Sequence, residues 1–109
     1  MREKKRYIVF RIHSEQPVPY HSLKSAIIDS LLEFLGENDF AKAKPRLIKN
    51  LCNGKEGFLQ TSPKWVDPCK FALALVHQVA DQKIIIQTIK VAGTIKSGKL
   101  ALIANKKFP

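Results

Sequence analysis

Three carboxylates, Asp29, Glu33 and Glu37, recur at four-residue intervals and would share one face of a helix. Two acids one turn apart can ligate a hard divalent cation, which is how a nuclease site would begin. Such a site needs further donors, and no histidine or other acid is spaced to complete it. The same pattern describes any solvated helix face. His13, His21 and His77 have no ligand spacing with one another or with the cysteines. Cys52 and Cys69 lie too far apart for a metal knuckle or a redox pair, and read as buried or idle thiols. No serine sits in a nucleophile elbow, and no glycine-rich loop follows a strand in the P-loop or dinucleotide manner. These residues make no case for an enzyme acting alone.

The cations carry more information. Nineteen Lys and Arg stand against nine Asp and Glu, a formal net charge of +10 in 109 residues. That excess repels itself unless a polyanion relieves it. Five of the first eleven residues are basic; Lys42, Lys44, Arg46 and Lys49 fall in a stretch without an acid. Beyond Asp81 there is no acid at all, while Lys83, Lys90, Lys96, Lys99, Lys106 and Lys107 all lie there. Three acid-free clusters describe a footprint for phosphates better than a device for solubility. A membrane surface is the weaker partner, since no apolar run approaches the roughly 20 residues of a spanning helix. The basic stub Met1–Arg6 runs directly into an alternating pattern, unlike a signal peptide, so a cytoplasmic protein is expected.

Which elements hold these cations follows from periodicity. Residues 6–13 alternate as a strand, with Ile8, Phe10 and Ile12 on one face and Tyr7, Val9 and Arg11 on the other. Pro17 and Pro19 mark a loop, and Ser22 stands where a helix N-cap belongs. That helix should run to Leu35 and stop at Gly36, with Asp29, Glu33 and Glu37 outside. A short strand over 44–50, a turn on Asn53-Gly54 and a strand over 57–61 make a hairpin. Asp67-Pro68 opens a second helix over 68–80, with Lys70 and His77 on its polar side. Residues 83–92 form the most apolar strand, read as a central one, with Ile84 and Ile86 facing one way and Ile85, Ile89 and Val91 the other.

The order β-α-β-β-α-β, with a short C-terminal tail or helix over 97–106, predicts one domain spanning residues 1–109. Its class is α+β, a ferredoxin-like or RRM-like sandwich. Two helices on one face cannot bury a strand that is apolar on both, so the tail or a partner should cover the other face. A module reading single-stranded RNA would stack bases on several aromatics of its central strands. Here Tyr7 is available, but Lys55-Glu56-Gly57-Phe58-Leu59 supplies one aromatic where several are expected. Backbone and shape recognition of a folded RNA fits better.

Lys-Arg-Tyr-Ile-Val-Phe at 5–10, Ala-Lys-Ala-Lys-Pro-Arg-Leu-Ile-Lys at 41–49 and Val-Ala-Gly-Thr-Ile-Lys at 91–96 resemble the ribonuclease P protein component 2 family of archaea. Its eukaryotic relatives carry a similar Gly-Gly-Thr-Ile-Arg signature after the last strand. The resemblance spans residues 5 to about 96, in order and in spacing. It implies an RNA-binding subunit of the particle that removes 5′ leaders from precursor tRNA, an endonuclease only as part of that particle. It further implies that the RNA holds the catalytic Mg²⁺ and that this chain binds no cofactor. The partners implied are ribonuclease P RNA, protein component 3 and other protein subunits, with precursor tRNA met indirectly.

The residues expected at the RNA are Lys4, Lys5, Arg6, Tyr7, Arg11, Lys44, Arg46, Lys90, Gly93, Thr94, Lys96 and Lys99. Lys5, Arg6, Arg11, Lys90, Lys96 and Lys99 should converge, since the first and last strands are neighbours in this topology. Gly93 reads equally as a strand terminator or as a place where backbone comes close to phosphate. Three other readings stand beside this one, of which a ligand-binding regulatory module is disfavoured by the net charge. The first is another ribonucleoprotein subunit, such as a ribosomal protein. The second is a small enzyme of the acylphosphatase type, although Ser14–Pro19 lacks the glycines of a phosphate-cradling loop.

Overall fold

Alternation of β-branched and aromatic residues makes β1 (Arg6–His13) the strand around which the molecule is built. The structure is a computed structural model that describes residues 4–106. Met1–Glu3 of the basic stub and Lys107 of the tail lie outside the described residues. From β1 the chain passes to α1 (Tyr20–Ala43), β2 (Arg46–Leu47), β3 (Glu56–Thr61) and α2 (Val66–Leu75). A small hairpin of β4 (Gln78–Val79) and β5 (Gln82–Lys83) follows, then β6 (Ile85–Ala92) and α3 (Ile95–Lys106). The main sheet has the order β2-β3-β1-β6, every neighbour antiparallel. This is the α+β sandwich with ferredoxin-like strand order that the sequence predicted.

The first face of the sheet presents Ile8, Phe10, Ile12 and Leu59 to Leu23, Ile27 and Leu31 of α1 and to Cys69, Ala72 and Leu73 of α2. Each large side chain fully buried here contributes about 1.5–3 kcal/mol. Ser30 Oγ ties the two helices together by donating to the Ala72 carbonyl at 2.7 Å. The second face is closed by α3. Val9, Phe58, Ala92 and Leu102 form its core, with Tyr7, Ile48, Leu51, Ile89 and Ile95 packed around them. A sheet apolar on both sides therefore finds its second cover within the chain.

Several local expectations need correcting. Ser22 does not cap α1: the helix starts three residues earlier behind Pro19, whose fixed φ suits a helix entry. Gly36, at φ 82 and ψ 164, breaks α1 as expected, but helical turns resume beyond it up to Ala43. A glycine alone reaches that φ without strain, so the chain bends there instead of stopping. The second helix runs over 66–75 and not 68–80; Pro68 sits inside its first turn. Past its end, Ala80 and Asp81 both take positive φ, 51° and 64°, the two-residue turn that closes the β4–β5 hairpin. His77 consequently lies beyond the helix, not on its polar side.

Strand β6 is an edge strand and not a central one, pairing only with β1. Its register slips between Val9 and Phe10, so that Val9 faces Lys90 while Phe10 faces Thr88. The extra residue, Ile89, is a β-bulge that reverses the alternation beyond it. Val91 accordingly packs with the α1/α2 core, whereas Ile89 lies on the α3 side and Ile85 is largely exposed. Simple period-two counting placed all three on one face.

Candidate nucleic-acid interface

Antiparallel register lines up side chains across the sheet. Arg46 faces Gln60, Gln60 faces Tyr7, and Tyr7 faces Ala92, a row crossing all four strands on the α3 side. The row sits at the end of the sheet where β1 begins and β6 finishes. Lys4 and Lys5 are exposed just before it. Arg6 opens β1 on the opposite face, its Nη1 donating to the Lys5 carbonyl at 3.0 Å. Lys44 caps the C-terminus of α1 in the left-handed conformation, φ 48, and is exposed beside this end. Strand β6 delivers Lys90 on the α3 side, where Nζ donates to Ser97 Oγ at 3.3 Å.

The turn after β6 is organised by Thr94. Its Oγ1 accepts the Ser97 amide at 3.1 Å, and its carbonyl accepts the Gly98 amide at 3.2 Å. Thr94 is thus the N-cap of α3. Gly93 lies outside the left-handed region with open space where a Cβ would stand, so the turn itself does not require a glycine. Lys96 and Lys99 project from the first turns of α3 and are exposed. Nothing from residue 82 onward is acidic.

Ten of the twelve expected residues therefore lie at one end of the sheet, on its α3 side or beside it, and Arg6 stands at the same end on the opposite face. Arg11 does not. It lies five residues along β1 from Arg6, about 17 Å away for an extended strand. There its Nη2 pairs with Glu56 Oε2 at 3.3 Å. Glu56 is itself buried and hydrogen-bonded from the Asn53 amide group, so Arg11 balances a buried carboxylate.

Sequence reasoning missed Gly98 and Gln60. A Cβ on Gly98 would stand 2.5 Å from Phe58 Cε2 and 2.8 Å from Val9 Cγ2. Only a bare backbone lets α3 lie this close to the sheet. The available signal was a glycine inside a helical stretch, which costs about 1 kcal/mol against Ala unless packing demands it. Gln60 had no signal of its own, because only the register places it between Arg46 and Tyr7. The same helix seals Phe58, which is 1% exposed, so the aromatic that would stack a base in an RNA-recognition module is closed off.

Among the described residues, no group of three or more His, Cys, Asp or Glu is placed to hold a metal ion. Burial pushes the Cys52 and Cys69 thiols up, which favours the neutral thiol over the nucleophilic thiolate. No helix of the described residues is long and apolar enough to cross a membrane.

The family profile of Rpp14/Pop5 proteins matches residues 6–103, from the first residue of β1 into the final helix. The chain belongs to the Rpp14/Pop5 family. It is 39% identical over 104 residues to ribonuclease P protein component 2 of Pyrococcus horikoshii, covering 95% of this chain and 87% of that protein. With the protein of the same name from Pyrococcus furiosus it shares 40% identity over 96 residues, covering 88% and 80%. The more distant one from Methanocaldococcus jannaschii is 30% identical over 107 residues, covering 98% and 78%. In three dimensions the chain resembles a chain in the cryo-EM structure of yeast ribonuclease MRP, with a TM-score of 0.66 at 7% identity, covering 98% and 92%. That likeness speaks to the fold. The match reaches residue 103, so most of the helix that closes the second face falls within it.

Proposed function

We propose that this Rpp14/Pop5 protein is an archaeal RNA-binding subunit of ribonuclease P, which supports a catalytic RNA in removing 5′ leaders from precursor tRNA. The observation that carries the reading is the acid-free layer made by β6 and α3, set beside the family's shared name. Lys90, Lys96 and Lys99 stand on a rigid strand and helix, next to Arg46, Lys44, Lys4 and Lys5. An RNA that gathers metal ions must press phosphates together, and fixed cations lower that repulsion and the Mg²⁺ the fold requires. Catalysis and Mg²⁺ belong in this reading to the RNA, while this chain contributes charge and shape. Closure of Phe58 under α3 favours recognition of backbone over stacking of bases. Other protein subunits, component 3 among them, complete the particle, which works in the cytoplasm.

Reconstitution tests the proposal. The purified chain alone should leave precursor tRNA intact with or without Mg²⁺. Adding it to the RNA and remaining subunits should lower the Mg²⁺ concentration at half-maximal cleavage. Its affinity for the RNA should fall with salt, each neutralised phosphate adding about 0.7–0.9 to the logarithmic slope. Cleavage by the isolated chain that vanishes with Asp29→Ala and Glu33→Ala would overturn the reading, as would an affinity indifferent to salt.

A further inference from the structure

The row that crosses the sheet on its α3 side has uncharged polar groups at its middle. Gln60 of β3 stands between Arg46 of β2 and Tyr7 of β1, its opposite neighbours in the antiparallel register. Side chains so paired are about 5 Å apart at Cβ. The Tyr7 ring packs against the core of Val9, Phe58, Ala92 and Leu102, and Gln60 is half-buried beside it. Among the described residues, neither the Gln60 amide nor the Tyr7 hydroxyl has a hydrogen-bond partner, and neither is sealed from solvent. Cations flank the pair. Arg46 is exposed on one side, and Lys4 and Lys5 are exposed just ahead of Tyr7.

We infer that this row reads the sugar of RNA: Gln60 and Tyr7 hydrogen-bond a ribose 2′-hydroxyl, while Arg46 and the Lys4-Lys5 pair meet neighbouring phosphates. Chemistry decides the assignment. Phosphate oxygens only accept, and charged donors meet them best. The Gln60 amide offers two donors and an acceptor, and the Tyr7 phenol one donor as well as acceptor capacity. A 2′-hydroxyl likewise both donates and accepts. A neutral group that can give and receive, set among cations at cross-strand distance, matches a sugar among phosphates. Reading a base by stacking would need an open ring, and Phe58 is sealed under α3. The lysines of the basic layer cannot tell RNA from DNA, because the phosphates are alike; Gln60 and Tyr7 supply that distinction. This deepens the subunit reading above and rests on it for the identity of the RNA.

The test uses the full chain and ribonuclease P RNA transcribed with scattered 2′-deoxynucleotides, comparing bound and unbound fractions position by position. With the parent protein, a few positions should be depleted of deoxyribose in the bound fraction. With Gln60→Leu or Tyr7→Phe, those positions should become indifferent. Affinity of either variant for the unmodified RNA should fall about two- to tenfold, the size of one hydrogen bond. The salt slope should stay at the parent value, since no charge is removed. A parent map without depleted positions would overturn the inference, and so would depletion that persists unchanged in Gln60→Leu. A dependence on residue 60 that follows substituted bases, with the sugar indifferent, would overturn it too. Thermal unfolding verifies the fold, and Tyr7→Phe, which loses a single oxygen, carries the test should Gln60→Leu not fold. Failure of the parent to bind the RNA would sink the subunit reading and this inference with it, whereas salt-dependent binding without any effect of the sugar would sink this inference alone.

Discussion

On one face of the sheet, two helices bury Leu23, Ile27, Leu31, Ala72 and Leu73 over four strands; on the other, twelve residues of α3 cover a core of only Val9, Phe58, Ala92 and Leu102. The thick side carries acids and open aromatic rings. On the thin side the described residues of β6 and α3 bring lysines and no acid, and Glu56 of β3 is paired with Arg11. The contrast separates two tasks that one surface could not perform. A layer that must press its backbone onto a sheet has little volume for a core. It relies on close approach at Gly98 and a cap at Thr94, and its outer side remains free for charge.

The largest break in this comparison should come from Gly98→Leu. A side chain there collides with Phe58 and Val9, and overpacking of this kind costs about 1–3 kcal/mol. Urea unfolding should register that loss, and RNA affinity should fall with it as α3 lifts. A midpoint equal to the parent's would mean that α3 does not sit where the glycine lets it. Next comes the pair Lys90→Ala with Lys96→Ala, expected to weaken RNA binding about tenfold, or about 1.4 kcal/mol. The salt slope should become shallower by about 1.4–1.8, while unfolding moves by no more than about 0.5 kcal/mol. Titration of RNA across a salt series, with melting beside it, separates charge from fold.

Thr94→Ala should remove the cap of α3 at about 1 kcal/mol in thermal unfolding, and Thr94→Ser should restore most of it. The smallest effect is expected from Lys24→Ala with Lys70→Ala on the helical layer, which should change stability by less than about 0.5 kcal/mol and leave RNA affinity at the parent value. If that pair proved more damaging to RNA binding than Lys90 and Lys96, the helical layer would be the contact surface and the division between the faces would fall.

Much of this organisation was legible in the residues. β1, the acid-free stretch after Asp81, the Asn53-Gly54 turn and the need for a second cover all follow from local chemistry and period. What escaped depended on tertiary geometry. A single inserted residue, Ile89, moved Val91 into the other core, and no pattern of apolar residues announces a bulge. The β4–β5 hairpin turns at Ala80 and Asp81, and Ala80 is an unusual choice for positive φ, so it read as the end of a helix. Arg11 looked like one more free cation because Glu56, forty-five positions away, becomes its partner only through pairing of β1 with β3.

The order in which the layers are made has its own consequence. The neighbours of β1 arrive about fifty and eighty residues after it, and such distant pairings form slowly. Even when the four strands and the first two helices have met, Val9 and Phe58 stay bare until residues 95–106 are also out. A nascent chain halted before that point would expose a sticky, half-finished sheet of the kind that chaperones bind and aggregates recruit. The lysines of α3 arrive with the segment that hides this surface. Lys96 and Lys99 join the fold in the same step that buries Val9 and Phe58.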